Sequence, residues 1–484
     1  MAQIVFINAP SFLKQRYDEF APAGAYAPPL GLACISSALR LEGFEPKIID
    51  PAPFEYDYDT TVELAISHDP DYIGFTAVTA GIYEAAEIAN RIKKKNSKIK
   101  TIIGGVHLTA TPEETMTRFP CFDIGVIGEG EVTSVELFKT LEDGSNLDDV
   151  HGLILRENNN LYRTEKREFI KDINTLPMPA WDLLPPLAKN YGLALVWALK
   201  QPGLTVVTSR GCVGYCTFCD KSMFGRKYRA LSVDNILKMV KDLHYNHGIK
   251  DFAFQEDDFV THKRRLREFC EKLKNEKLNV VWSSTARVNE VNPEILKMMK
   301  EAGCWQVYYG IESGCQEILD FFKKNITLDK IQQAAAWTRE AGIECAAAVM
   351  IGMALESKET IERSIKFFRE THFDLLVLSK FTPLPGSQFY KIAREYGSLI
   401  DDWRLMSTKN TVFIPNGLTK EDMDRYHRRL LKKLYLRPII FWIHFKKLVK
   451  NPNTFYQMML KGYLILAHTL ITPVRKFLNI KKKQ

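Results

Sequence analysis

Twice along the chain, short apolar runs suited to buried strands alternate with stretches of helical spacing. This double alternation limits the fold more than any other feature. The first series has strand-like runs at 3–8, 44–50, 71–78, 100–106 and 122–131, with helical stretches such as PPLGLACISSALRLEG and GIYEAAEIANRIKKKN between them. Strands separated by helices of that length make parallel βαβ units, so a doubly wound parallel α/β sheet is expected over residues 1–145. Its ligand crevice belongs at the carboxyl ends of the strands. Residues 146–199 read as a β-rich connector ending in a Pro-rich linker. A second βα series has strands at 204–211, 251–259, 279–288, 305–314, 344–353 and 374–386. Six units fall short of a closed eight-fold barrel, so a partial (β/α)6 barrel is expected over residues 200–400, with its chemistry at the strand C-termini.

The loop after the first barrel strand reads SRGCVGYCTFCDKSMFGRKYRAL, residues 209–231, and crowds Cys212, Cys216 and Cys219 together. The other six of the nine cysteines (Cys34, Cys121, Cys270, Cys304, Cys315 and Cys345) stand singly among apolar neighbours, as buried thiols do in a reducing compartment. The first residues carry no basic n-region and no small-residue cleavage site, so a secretory signal is not expected and a cytoplasmic location is. Clustered soft ligands suit an iron–sulfur cluster or zinc. Zinc needs a fourth donor, with His244 or His247 the candidates. Three thiols alone suit a [4Fe–4S] cluster with one open iron, its negative charge offset by Arg210, Lys221, Arg226, Lys227 and Arg229.

The C-x3-C-x2-C motif in the first βα loop of a partial barrel, with Phe218 inside it, resembles the radical S-adenosylmethionine (SAM) superfamily. The resemblance implies that Cys212, Cys216 and Cys219 hold three irons while the fourth chelates the amino and carboxylate groups of SAM. An electron from the cluster would then cleave SAM to methionine and a 5′-deoxyadenosyl radical. It further implies Phe218 against adenine, Glu256 or Asp257 of FQEDDF on the SAM ammonium, Ser284 and Arg287 of WSSTARV on ribose or carboxylate, Glu312 of GIESG on ribose, and Gly352 of MIGM near adenine. The Pro-Gly expected after that last motif is Ala354-Leu355 here.

In the first domain the position of a dinucleotide fingerprint reads INAPSFLKQ, which disfavours nicotinamide binding. GFTAVTA, IIGGVHLTATPEE and GVIGEGE together resemble the cobalamin-binding domains fused ahead of radical SAM barrels. The resemblance places Thr76, Val78, Thr79, Gly104, Gly105, His107, Gly128 and Glu129 at the cobalamin. The D-x-H-x-x-G motif that ligates cobalt in other cobalamin domains is absent, so His107 is expected as a polar or phosphate contact and not as a cobalt ligand.

The net charge of +8 is concentrated at the end of the chain, where no acidic residue follows Asp424. Residues 401–484 read as a basic amphipathic helical tail, lying at an anionic membrane surface on the inner face or capping the barrel. Similar tails occur in relatives that act on hydrophobic substrates, such as hopanoid methylases and the anaerobic Mg-protoporphyrin monomethyl ester cyclase. Taken together, the resemblance implies C-methylation of a small hydrophobic, lipid- or tetrapyrrole-like substrate, fed by an electron donor such as flavodoxin or ferredoxin. The alternatives are oxidative cyclisation or rearrangement without methyl transfer, and a non-catalytic cobalamin or Fe–S sensor. No nucleic-acid partner is expected, because no RNA-binding module follows the barrel.

Overall fold

The computed structural model describes residues 2–435 apart from 18–20, 22–23, 159 and 195–196. The first sheet contains β1 (Ile4–Asn8), β2 (Lys47–Ile49), β3 (Tyr72–Thr76), β4 (Lys100–Gly104), β5 (Ile124–Val126), β6 (Leu153–Glu157) and β7 (Asn160–Arg163), in the order β2-β1-β3-β4-β5-β6-β7. β1 to β5 run parallel, and β6 and β7 add an antiparallel edge. The β-rich stretch expected as a connector thus forms a hairpin that extends this sheet.

Alternation along the strands assigns the two faces. Val5, Ile7, Ile73, Phe75 and Ile103 pack with Ile82, Ala85, Ile88 and Ile92 of helix Ile82–Lys95. Ile4, Phe6, Ile102 and Val126 pack with Leu32 and Leu39 of helix Leu30–Leu41 and with Leu137 and Phe138 of helix Gly130–Asp143. Strands buried on both sides need near-continuous apolar runs, which IVFIN and TIIG supply. Lys93, Lys94 and Lys95 close helix Ile82–Lys95, where cations meet the negative end of the helix dipole.

The second sheet is formed by β8 (Gly203–Val206), β11 (Asp251–Phe254), β12 (Val281–Ala286), β13 (Cys304–Glu312), β14 (Glu344–Ile351) and β15 (Leu375–Lys380). All neighbours are parallel and the order is β15-β14-β13-β12-β11-β8, the expected six-stranded partial barrel. Between β8 and β11 the chain makes a short antiparallel ladder of β9 (Ser209–Arg210) and β10 (Arg229–Ala230) around the cysteine loop. Phe254, Trp282, Tyr309 and Val349 face the helix layer in one core. At the N-terminal end of the barrel Trp197 stands edge-on to Tyr308, 4.5 Å between centroids. Asp251 there accepts from the backbone N–H groups of Leu199 and Lys200. That plug leaves the C-terminal end as the open mouth.

After the barrel the chain returns to the first domain, whose core buries Trp403 and Met406. β16 (Gly397–Leu399) pairs with β17 (Phe413–Pro415), and helix Lys420–Tyr435 follows. Met423, Tyr426 and Leu430 of that helix are buried in the barrel core, and Asp424 pairs with Lys380 at 2.9 Å. The described part of the tail therefore uses its apolar face internally, as a cap. The expected membrane-surface stretch beyond residue 435 lies outside the described residues. Among the described residues no helix is long and apolar enough to cross a membrane.

Candidate active site

Cys212, Cys216 and Cys219 occupy one loop between β9 and β10, at the mouth of the barrel, and all three are free thiols. The amide of Gly214 lies 3.4 Å from the Cys212 sulfur. The loop is pinned on both sides: Thr217 N donates to Phe322 O at 3.0 Å, and Phe389 N donates to Thr217 O at 2.9 Å. Among the described residues no three Cys, His, Asp or Glu side chains form a group able to hold a single metal ion. Zinc would need donors converging at about 2.0–2.3 Å on one point. Three thiols on a single loop match a cluster instead, in which each thiolate takes a different iron.

Four of the expected SAM-site residues lie beside this loop. Phe218 is half-buried and packs edge-on against Phe322 at 5.7 Å. The Arg287 guanidinium lies against Gly214, and a side chain there would have to push it aside. Arg287 also donates to Lys324 O at 3.2 Å. Glu312 ends β13 in a left-handed conformation, φ 64°, and accepts from Lys324 Nζ at 2.7 Å. Asp257 reaches the surface, and its carboxyl pKa is still raised, by the protein packed around it, with nearby Lys221 acting in the opposite direction.

Three expected SAM contacts are placed elsewhere. Glu256 is buried, accepts from Thr208 N at 2.5 Å and Thr208 Oγ1 at 3.0 Å, and pairs with Arg265 at 3.3 Å. Its carboxylate thus ties β11 to the end of β8 and is engaged on both oxygens. Ser284 alternates with Trp282 and Ala286, which sit in the core against the helices, so it faces the helix layer. The neighbouring Thr285 faces the barrel interior, and its hydroxyl donates to Glu256 O at 2.5 Å. Beside Gly352 the space a side chain would fill is taken by Met423, so the glycine serves the C-terminal helix.

Gly352 N donates to Glu356 at 2.6 Å, and burial pushes the Glu356 carboxyl up to about 8. The native state therefore keeps a proton that the unfolded chain loses above pH 4.5. Stability is expected to fall as pH rises from about 4.5 to about 8, at about 1.4 kcal/mol per pH unit. Glu356→Gln should flatten that slope and raise the melting temperature at pH 8, which thermal melts across pH would check. A slope equal in both proteins would contradict the assignment.

In the first domain the C-terminal ends of β3 and β4 present an open, partly apolar rim, with Val78 53% and Val106 41% exposed. Gly128, after β5, has open space where a side chain would stand. This rim and gap suit a large flat group such as a corrin. Gly105 has φ +92° and packs on Thr76, so it shapes the loop rather than baring it to a ligand. Gly104 is less tightly packed, its would-be side chain meeting Val126 at ordinary contact distance.

His107 is wholly buried, its Nδ1 3.3 Å from Thr79 Oγ1 and its ring edge-on to Trp403 at 4.4 Å. Burial, with Arg118 nearby, lowers its pKa to about 4. His107 is therefore closed in against the C-terminal segment, while Thr79, half-buried beside it, keeps a surface toward the rim. Glu129 is occupied too: its carboxylate pairs with Arg210 and Arg229 of the barrel. Those two arginines are consequently engaged by glutamates instead of facing the cysteine thiols. Lys324 gave no local signal in the sequence, since the helix Gln316–Phe321 separates it from its partner Glu312 at the end of β13.

The two halves meet over the cysteine loop. Thr109 donates to the Met223 sulfur at 3.7 Å, and Gly386, after β15, packs against both Asp220 and Ala110. A cavity of about 400 Å³ lies at the edge of this seam, walled mostly by the β6–β7 hairpin and the charged connector (Arg163, Lys166, Arg167 and Glu168), with Gly128 and Glu129 on one side and Lys221, Ser222 and Gly225 on the other.

Known proteins agree with this architecture. Residues 20–138 match the B12 binding domain family, and residues 206–368 match the Radical SAM superfamily. An uncharacterized methyltransferase of Pyrococcus horikoshii is 34% identical, over 86% of this chain and 89% of the relative. The anaerobic magnesium-protoporphyrin IX monomethyl ester cyclase of Rubrivivax gelatinosus is 25% identical, over 85% of this chain and 75% of that one. The solved structure of OxsB, a cobalamin-dependent SAM radical enzyme with aqua-cobalamin and SAM bound, superposes with a TM-score of 0.74 at 18% identity. That match covers 97% of this chain and 72% of the other, and it shows a shared fold. The chain belongs to the radical SAM enzymes that carry an N-terminal cobalamin-binding domain. Its cofactors are accordingly a [4Fe–4S] cluster, SAM and cobalamin.

Proposed function

We propose that the enzyme transfers a methyl group to an unactivated carbon of a small hydrophobic, lipid- or tetrapyrrole-like substrate. The observation that carries this reading is the direct contact of the cobalamin-domain loops with the cysteine loop, Thr109 on Met223 and Gly386 against both Asp220 and Ala110. A substrate held at this seam would lie between the two cofactors. Bound together, the cluster with SAM supplies a hydrogen-abstracting radical and cobalamin supplies a methyl group. The relative of Pyrococcus horikoshii, a methyltransferase by name, favours methyl transfer over the cyclisation of the more distant cyclase.

The chain's own residues supply the setting. Cys212, Cys216 and Cys219 would hold the cluster. Phe218 offers a ring face beside it, and Arg287 and Lys324 present cations for a carboxylate. Exposed Asp257 is the acceptor best placed for an ammonium, since Glu256 is engaged. Val78, Val106 and Gly128 would accommodate the corrin. The Trp197 plug excludes water from the closed end of the barrel. A flavodoxin- or ferredoxin-like donor would deliver the electron, in a cytoplasmic setting.

The substrate class is tested anaerobically with the reconstituted enzyme, SAM, cobalamin, reductant and either lipid or tetrapyrrole extracts. A product heavier by one methylene, carrying label from methyl-labelled SAM, is expected from one of the two extracts. An unlabelled product lighter by hydrogen would favour cyclisation.

A further inference from the structure

A buried four-charge network lies where the two domains touch. Glu129 pairs with Arg210 and with Arg229, each at 2.7 Å, and Glu131 accepts from the other terminal nitrogen of the Arg210 guanidinium. Side-chain exposure is 14% for Arg210, 6% for Glu131, and 3% for Glu129 and Arg229. Glu129 also accepts from Ile170 N at 2.8 Å, drawing the connector into the same knot. The arginines are held from the side as well: Arg210 lies over Phe224 at 5.4 Å and Arg229 over Phe169 at 5.0 Å.

Position makes this network informative. Both glutamates stand at the start of helix Gly130–Asp143, where the helix dipole favours carboxylates. Glu129 follows directly on Gly128, the open residue at the corrin rim. Arg210 and Arg229 face one another in the β9–β10 ladder, and Arg210 lies two residues before Cys212. One set of ion pairs therefore joins the edge of one cofactor site to the base of the other. Buried pairs of this kind stabilise a fold little compared with apolar packing, but any shift that parts them strands a buried charge, which opposes the shift. A guanidinium bridging two carboxylates also resists both sliding and rotation.

We infer that Glu129, Glu131, Arg210 and Arg229 act as positioning residues that set the separation and orientation of cobalamin relative to the cluster. The inference rests on the proposed methyl transfer only for its catalytic consequence. A misplacement of the order of an ångström costs about 100-fold in a reaction that depends on alignment.

The test uses the full chain loaded with cluster and cobalamin, in the charge-balanced double variant Arg210→Gln, Glu131→Gln, which leaves Glu129 and Arg229 paired. Cluster iron and bound cobalamin should match the wild type. The dipolar coupling between cob(II)alamin and the reduced cluster, read by pulsed EPR, should broaden into a wider distance distribution. Methylated product per 5′-deoxyadenosine should fall about 100-fold. If the double variant does not fold, Arg210→Lys keeps the charge but not the two-carboxylate bridge, and the same broadening is expected. An unchanged distance distribution in either variant overturns the inference, as does loss of the cofactors themselves. Failure of wild type to methylate would overturn the proposed reaction, while the distance measurement would still decide the positioning role.

Discussion

Replacing Cys216 with alanine is expected to abolish both the iron–sulfur cluster and SAM cleavage. Cys216 is the middle thiol of the loop and is buried. The carboxylates beside the loop, Asp220 and Asp257, are hard oxygen donors and poor replacements for a thiolate on a cluster iron. A cluster held by two thiolates loses an anchor on one iron, and its open corner no longer has a fixed direction. Iron and sulfide content should fall to background, and 5′-deoxyadenosine should fall below detection. Cys270→Ala is the matched control: that thiol is buried in the barrel core, far from the loop in the fold, and its loss should cost only about 1 kcal/mol of stability. Retention of the cluster in Cys216→Ala would remove the basis for the cysteine assignment.

The second large effect is expected at Lys324. Its ammonium is 2.7 Å from Glu312, with side-chain exposures of 12% and 11%, and 5.6 Å from the Phe218 ring centroid. Burial would lower its pKa, but Glu312 and nearby Cys216 hold it above the ordinary lysine range. Gly310 makes room for the pair, since a side chain there would meet Glu312 at 2.6 Å and Lys324 at 3.0 Å. Lys324→Met leaves a buried carboxylate alone, which costs about 3–5 kcal/mol. It also removes a cation from beside the cysteine loop, where an anionic group of SAM would lie, for a loss of about 100-fold in SAM cleavage. The double variant Lys324→Met, Glu312→Gln separates the two effects. It should recover most of the stability and none of the cleavage. Recovery of both would make the pair a structural element only.

The fold was legible because parallel sheets announce themselves: runs such as IVFIN and YIGFT are apolar on both faces, and the helices between them bury alanines and isoleucines at helical spacing. The cysteine loop was legible because three soft ligands in eight residues have few other uses. The single residues around it were harder to place. FQEDDF puts three carboxylates in a row, and only the strand ends show that Glu256 turns to Arg265 while Asp257 faces out. Ser284 and Thr285 differ by one position, which in a strand reverses the face. His107, Glu129 and Gly352 have surroundings that the motifs around them did not announce, for a shared reason. Each meets a partner distant in sequence: Trp403, Arg210 with Arg229, and Met423. Local spacing carries no record of such partners.

Coupling of SAM cleavage to methyl transfer is measured most directly by the ratio of the two SAM-derived products in one anaerobic time course. For a methylase that uses one SAM for the radical and another for the methyl group, 5′-deoxyadenosine and S-adenosylhomocysteine should accumulate together and in equal amounts. Both should depend on added cobalamin and on a methylatable substrate. Turnover of substrate with 5′-deoxyadenosine alone, indifferent to the methyl group of SAM, would contradict methyl transfer and leave cyclisation or rearrangement as the reaction.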